Sequence, residues 1–332
     1  MPVVKLDELH DLAVRVMTAS KTSATAAKSI ADALVAAEGD GLASHGASRI
    51  PFYADQAISG KVDGFVTPVV HEVAPAAIRV NAKDGFAYPA IDAGFAHVER
   101  MAPFTGIVAM AVSNSHHFGA AGYHLERMAN KGFAGFAFGN TPAAMAPWGG
   151  NKATFGTNPL AFAVPRKSEP PLVIDMSLSV VARGKIMVAA RKGEPIGEGW
   201  ATDADGNPTT NADEALKGTL LPAGGAKGAV LAMMVEIIAA TLTGSNYAYE
   251  ATSFFDAEGK PPRVGQFFIF LKPELFGGDG YQDRLEELLT YILDQPGTQL
   301  PGYVPVREKT QKNGVEIIDS VYEDLINRAK AS

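Results

Sequence analysis

From about residue 75 the chain breaks into short apolar runs, each closed by glycine, proline or asparagine. They are Ala77-Ile78-Arg79-Val80, Ile107 to Val112, Phe133 to Phe138, Leu160 to Val164, Leu172 to Ile174 and, much later, Gln266 to Leu271. Runs of this length with turn formers at both ends read as buried strands. Helical stretches intervene near 88–102 and 119–130, and an amphipathic helix follows at Tyr281 to Leu293. Before residue 75 the texture differs. Leu6, Leu9, Ala13, Val16 and Met17 follow a helical period, and Ser23 is an N-cap for a second helix with Ala27, Ile30, Ala31 and Leu34 on one stripe. Gly39 and Gly41 break that pattern. Pro51 suits the first turn of a third short helix ending at Gly60, and a surface helix is expected at Ser320 to Ala329. Helices first and mixed elements later give an α/β (α+β) class with a mixed sheet. The expected organisation is a mainly helical part over 1–74, a mixed core over 75–271, and a segment over 272–332 that packs back on the body. No repeat or linker separates them.

The chain has 332 residues, 47% hydrophobic and 20% charged, enough for one large or two ordinary domains. The formal charge is -7, and no basic run with interleaved aromatics is present, so nucleic acid is not an expected partner. The absence of cysteine excludes disulfides, thiolate metal sites and cysteine nucleophiles. Acidic residues interrupt the N-terminal segment early, and the most apolar helix candidate, Gly228 to Gly244, carries Glu236 and is short for a bilayer. These readings point away from a membrane and toward a reducing cytoplasm.

An α/β chain of this size invites a dinucleotide fold, yet no Gly-x-Gly-x-x-Gly follows a strand. Gly132-Phe133-Ala134-Gly135 and Gly277-Gly278-Asp279-Gly280 have the wrong spacing or context. Gly224-Gly225-Ala226-Lys227-Gly228 has a lysine without the rest of a P-loop. A nucleotide site must be built another way.

Two clusters carry chemistry. In Ser44-His45-Gly46-Ala47-Ser48-Arg49, a helical segment would put His45 and Arg49 on one face, a proton donor beside a carboxylate fork. The alternative at this spacing is an ordinary solvated helix face. Ser115-His116-His117-Phe118-Gly119 closes an apolar run; adjacent histidines address different sites, and no metal is expected. His10, His71, His97 and His124 read as surface or structural, and Trp148 and Trp200 as packing residues. Asp203-Ala204-Asp205-Gly206-Asn207 reads as a turn rather than a calcium loop, whose terminal Glu is missing.

Three further motifs join these: Phe155-Gly156-Thr157-Asn158-Pro159-Leu160, Asp175-Met176-Ser177-Leu178-Ser179-Val180-Val181-Ala182-Arg183-Gly184-Lys185, and Leu220-Leu221-Pro222-Ala223-Gly224-Gly225-Ala226-Lys227-Gly228. Together, and in this order, the set resembles the malate/L-lactate dehydrogenase family of the non-Rossmann type. That family also holds ureidoglycolate and sulfolactate dehydrogenases, a diketogulonate reductase and piperideine/pyrroline-2-carboxylate reductases.

The resemblance implies a family-specific mixed-sheet fold that binds NADH or NADPH without the Gly-rich fingerprint, in a homodimer whose active site lies near the subunit interface. It implies His45 as proton donor, Ser44 as the hydroxyl that orients it, Arg49 as the substrate-carboxylate ligand and Thr157 as a substrate contact. It places cofactor-binding segments at His117, Phe118, Gly119, Ala120 and Ala121, at Asp175, Met176 and Ser177, and at Ala226 and Lys227. It also implies that the stretch after Leu300-Pro301-Gly302, here Tyr303 to Arg307, approaches the cofactor. An acidic Asp175 facing a 2′-phosphate would tilt the choice slightly toward NAD. Lys185 stands in the catalytic segment where the imine-reductase branch has an acidic member of the Ser-His relay. That departure favours a small 2-oxo acid/2-hydroxy acid substrate of the malate or lactate kind. Arg49-Ile50-Pro51 and Gly60-Lys61-Val62-Asp63-Gly64 are similar to the cyclic ketimine reductases, which stand as the alternative. A non-catalytic ligand-binding protein on the same fold is a third reading.

Overall fold

The computed structural model describes residues 1–330. A short strand β1 (Val3–Val4) leads into helices α1 (Leu6–Ala19) and α2 (Ala24–Gly39). α1 buries Leu9, Leu12, Ala13, Val16 and Met17, the stripe its 3.6-residue period requires. Ser23 caps α2, its hydroxyl accepting from Ala26 N at 3.3 Å. α3 (Ile50–Ser59) carries Pro51 in its first turn and ends at Gly60.

One local expectation changes. His45 and Arg49 do not share a continuous helix; they close two separate 3₁₀ turns, Ala43–His45 and Ala47–Arg49, with Gly46 extended between them. Glu38, buried near the end of α2, supplies the reason. Its carboxylate accepts from Ala47 N at 2.7 Å, and a Cβ on Gly46 would lie 2.1 Å from that oxygen. The carboxylate takes a backbone donor from the ladder and needs glycine beside it.

The rest of the chain alternates strands and helices. β2 (Val69–Ala74), β3 (Ala77–Asn81), α4 (Ala87–Thr105), β4 (Ile107–Ser115), α5 (Ala121–Ala129), β5 (Ala134–Gly139), β6 (Leu160–Val164) and β7 (Leu172–Met176) come first. α6 (Arg183–Lys192), the hairpin β8 (Ala201–Thr202) and β9 (Pro208–Thr209), α7 (Ala212–Lys217) and α8 (Ala226–Glu236) follow. β10 (Val264–Leu271), α9 (Glu274–Gly277), α10 (Tyr281–Leu293), α11 (Val304–Asn313), β11 (Val315–Glu316) and α12 (Asp319–Lys330) complete the chain.

Seven strands form one mixed sheet in the order β2-β3-β4-β10-β5-β6-β7. β3 and β4 run parallel across the α4 crossover, and the other neighbours are antiparallel. β10, from near the end of the chain, is inserted between β4 and β5. Its side chains alternate: Phe268 and Phe270 pack into the core under α4 and α5, while Phe267 and Ile269 face the cluster formed with α6, α7 and α8. β2 has no apolar signature because its residues are half-buried or exposed at the sheet edge.

The last segment returns to the N-terminal helices. β11 pairs with β1, α12 packs on α1, and Arg328 makes a bidentate ion pair with Asp55 of α3 at 2.6 and 3.2 Å. No helix among the described residues is long and apolar enough to cross a membrane.

Candidate active site

The two 3₁₀ turns before α3 bring Ser44, His45 and Arg49 together. Ser44 Oγ lies 3.0 Å from His45 Nδ1, which leaves Nε2 for another partner. Arg49 is buried; its Nε donates to the Ser44 carbonyl at 2.7 Å, while its buried Nη1 has no hydrogen-bond partner. A buried guanidinium nitrogen without a partner is costly unless an anion completes it. Burial, and second the charge of Arg49, pull the His45 pKa from 6.5 down to about 4.

Opposite His45 stands His117. Their rings stack with centroids 5.6 Å apart, and His117 Nδ1 is hydrogen-bonded to the Tyr53 hydroxyl at 2.6 Å. Tyr53 in turn meets the Tyr88 hydroxyl at 3.2 Å. Burial, then Arg49, hold His117 well below the ordinary imidazole range. The Tyr88 hydroxyl comes within 2.7 Å of where a Cβ on Gly119 would sit, and Gly119 has φ +70°, so two independent constraints demand glycine there. His116 faces elsewhere: its Nε2 pairs with Gln56 Oε1 at 2.8 Å. The adjacent histidines thus divide between two environments, and no group of three metal-binding side chains occurs among the described residues.

Thr157 sits at the mouth of β6. Its N–H donates to Thr141 Oγ1 at 3.0 Å and its carbonyl accepts from Leu178 N at 2.8 Å. Its neighbour Asn158 is locked by Glu236, which accepts from Asn158 Nδ2 (2.8 Å), Asn140 Nδ2 (3.1 Å) and Ala248 N (2.7 Å). Glu236 is buried without a cation, and that desolvation raises its pKa. Through Ala248 this carboxylate anchors the chain that next passes Phe254 and Phe255. Phe254 packs against His116 and His117, and the Phe255 ring lies 4.4 Å from Arg49 Cζ. Asn158, through Glu236, and Arg49, through Phe255, are thus tied to the same stretch of chain.

The segments expected to bind cofactor also converge. Asp175, at the end of β7, accepts from Gly122 N at 2.8 Å and from Ala121 N, so it caps the start of α5; burial raises its pKa. Leu178 to Val180 bond to Leu221 and Ala223, which sets the start of α8 beside Met176 and Ser177. Met176, Ser177, Ala226 and Lys227 are exposed. α8 starts at Gly225 without a side-chain cap, and Lys227 in its first turn has no ion-pair partner among the described residues. An uncapped helix start with a free lysine has the donor set for a phosphate. Tyr303 is near enough to Asp175 to feel its charge, and Arg307 clamps Asp40 of the α2 end and Glu126 of α5 with four bonds of 2.6–2.9 Å. The segment after Gly302 does reach this region.

The other residues named from the sequence fall in varied surroundings. Asp175 is committed to the N–H groups of α5, so its charge gives no basis for preferring NAD. Phe118 lies in the core against His124. Ala120 is the half-buried residue preceding α5. Lys185 is exposed on α6 and makes no hydrogen bond to Ser44 or His45. Trp148 is 64% exposed over Gly225 rather than packed, whereas Trp200 joins a core cluster. Asp203 makes the turn expected of it, accepting from Asp205 N and Asn207 N.

A model of the malate/L-lactate dehydrogenase family matches residues 4–326. The chain belongs to that family. It is 50% identical over 326 residues, 97% of both chains, to a (2R)-3-sulfolactate dehydrogenase (NADP(+)) of Chromohalobacter salexigens. It is 37% identical over 329 residues, 97% of this chain and 95% of the other, to a Δ1-pyrroline-2-carboxylate/Δ1-piperideine-2-carboxylate reductase of Pseudomonas putida. Among solved structures it superposes on the Δ1-piperideine-2-carboxylate reductase of Pseudomonas syringae with a TM-score of 0.93 at 35% identity, covering 99% and 100% of the two chains. It superposes on the sulfolactate dehydrogenase of Methanocaldococcus jannaschii at 0.90 and 30%, covering 99% and 97%. This member of the malate/L-lactate dehydrogenase family is thus an NAD(P)-dependent oxidoreductase.

Several side chains that pack around Arg49, His116 and His117 carry no motif of their own. Arg49, Tyr53 and Gln56 fall at i, i+4 and i+7, a polar stripe on a helix that is a usable signal. Phe254-Phe255 is an aromatic pair in a polar loop some 200 residues away, with nothing local to say where it folds. Glu236 was noted only as an interruption of an apolar helix.

Proposed function

We propose that this protein is an NADP(H)-dependent 2-hydroxy acid dehydrogenase, with 3-sulfopyruvate and (2R)-3-sulfolactate as the leading substrate pair. The observation that carries the reading is Arg49: a buried cation whose Nη1 lacks a partner, beside a histidine with a free Nε2. The 50% identical relative named for NADP and sulfolactate supports the finer choice of substrate and cofactor.

Arg49 binds the substrate carboxylate and so fixes the reacting face. His45 Nε2 gives a proton to the carbonyl oxygen, and Ser44 holds the ring through Nδ1. Thr157 is assigned a substrate contact, as the family resemblance implies. Lys227 and the first turn of α8 would hold a cofactor phosphate, and bound NADPH would supply the hydride. The electrostatics couple these roles. In the free protein the Arg49 charge helps keep His45 neutral. A carboxylate on Arg49 offsets that charge, so substrate arrival raises the His45 pKa and favours the protonated donor. In the oxidative direction the neutral ring is already the base.

A second reading, cyclic ketimine reduction, is supported by the likeness to the Pseudomonas reductases. There His45 would protonate a nitrogen. A homodimer is supported by α8, whose Val230, Met233 and Met234 are exposed apolar residues continuing into Ile237. Sedimentation at micromolar concentration tests it, and a monomer would refute it.

The function test is oxidation of NADPH and, separately, NADH with 3-sulfopyruvate, oxaloacetate, pyruvate and Δ1-piperideine-2-carboxylate. Fast oxidation of NADPH with 3-sulfopyruvate is expected. Turnover confined to the cyclic imine would overturn the hydroxy-acid reading in favour of the second.

A further inference from the structure

The chain between Asn246 and Arg263 makes a closed excursion. Asn246 N donates to Arg263 O at 2.9 Å, and Arg263 forms a bidentate pair with Asp84, both bonds 2.7 Å. The tip is held from inside. Lys61, only 3% exposed, donates from Nζ to Ser253 O (2.8 Å), Asp256 O (3.1 Å) and Asp256 Oδ1 (3.0 Å). Gln56 Nε2 donates to Phe254 O at 2.9 Å. A buried ammonium satisfied by three loop oxygens leaves the tip little freedom, because letting go would strand the charge.

This anchoring fixes Phe255. Arg49 Cζ lies over its ring, 4.4 Å from the centroid, and the ring is met edge-on by Phe52 at 5.6 Å. The Arg49 guanidinium is thus constrained twice: Nε donates to the Ser44 carbonyl, and Cζ rests over the Phe255 ring. Its buried Nη1 is left without a partner, the nitrogen that an anion would complete.

We propose that Phe255 is a positioning and specificity-determining residue that sets the plane of the Arg49 fork and admits acids whose anionic oxygens lie in that plane. It acts through Arg49, not on the reacting atoms. The aromatic face attracts the cation and excludes water from it, so the remaining edge binds a coplanar carboxylate more strongly. A 2-oxo acid has its carboxylate and carbonyl group available in such a plane.

The proposal rests on the oxidoreductase reading above, and the test separates the two. Wild type, Phe255→Leu and Phe255→Tyr are compared for KM and kcat with the 2-oxo acids already named, for NADPH Kd by fluorescence, and for Kd of oxamate, a planar unreactive carboxylate, by calorimetry. Phe255→Leu should raise KM and the oxamate Kd about tenfold, equivalent to about 1.4 kcal/mol, while kcat and the NADPH Kd hold; Phe255→Tyr should restore both. Unchanged KM and oxamate Kd in Phe255→Leu would overturn the assignment. So would a common loss of kcat, KM and NADPH binding, which marks a merely structural residue. A wild type that turns over none of the acids, yet binds oxamate with this Phe255 dependence, leaves the assignment standing and removes the reaction. A wild type that neither turns over nor binds oxamate contradicts both.

Discussion

The proposed substrate side and the proposed cofactor side of this site are built differently. Arg49 is buried, and the half-buried His45 is bonded to Ser44 and stacked on His117. Met176, Ser177, Ala226 and Lys227 are exposed at a seam where a strand end, a loop and a helix start meet. The first side has its geometry before any ligand arrives, so binding there need not order side chains. The second side offers donors at a surface, where affinity depends on charge and responds to salt. On the proposed reading, fixed groups set the chemistry and the cofactor docks at the open side.

The largest expected effect breaks the substrate side alone. His45→Ala should lower turnover about 10²- to 10⁴-fold while the NADPH Kd stays put; steady-state rates and fluorescence titration check the two separately. Retained turnover would end the donor assignment. Arg49→Lys comes next. Lysine cannot reproduce the fork, so kcat/KM should fall about 10- to 100-fold with cofactor affinity unchanged. Equal kcat/KM in wild type and variant would make Arg49 structural.

The cofactor side gives the complementary break. Lys227→Ala should weaken NADPH about tenfold, with a smaller salt dependence than wild type, and leave oxamate binding untouched. Loss of oxamate binding in that variant would show that the two sides are not separable. The smallest effect is assigned to Lys185→Ala. Its side chain is exposed and makes no bond to the Ser44–His45 pair, so kcat/KM should stay within about twofold, the scale of an isolated surface change. A tenfold fall would put it back among the working residues.

The same contrast explains what the sequence revealed. Local physics was legible: the α1 stripe, the Ser23 cap, the Pro51 start, and the strands from Ala77 to Leu271 all stand close to where periodicity puts them. The identities of Ser44, His45 and Arg49 were legible, but their geometry was not. Glu38, outside the motif, takes the Ala47 N–H and divides the expected helix into two turns. Long-range partners were illegible for the same reason. Lys61 gives no sign of holding residues 253–256, nor Arg307 of joining Asp40 to Glu126, because each link closes more than 180 residues of chain. Asp175 shows the limit of reading charge alone: its sign suggests a tilt toward NAD, but the carboxylate accepts from the first N–H groups of α5.

The most direct test of the substrate side is an NMR titration of His45, assigned through His45→Gln, with and without oxamate. The account predicts an apparent pKa near 4 in the free protein, held down by burial and by Arg49, and a rise when the carboxylate binds. A value at or above the ordinary 6.5 in the free protein, unmoved by oxamate, would contradict it.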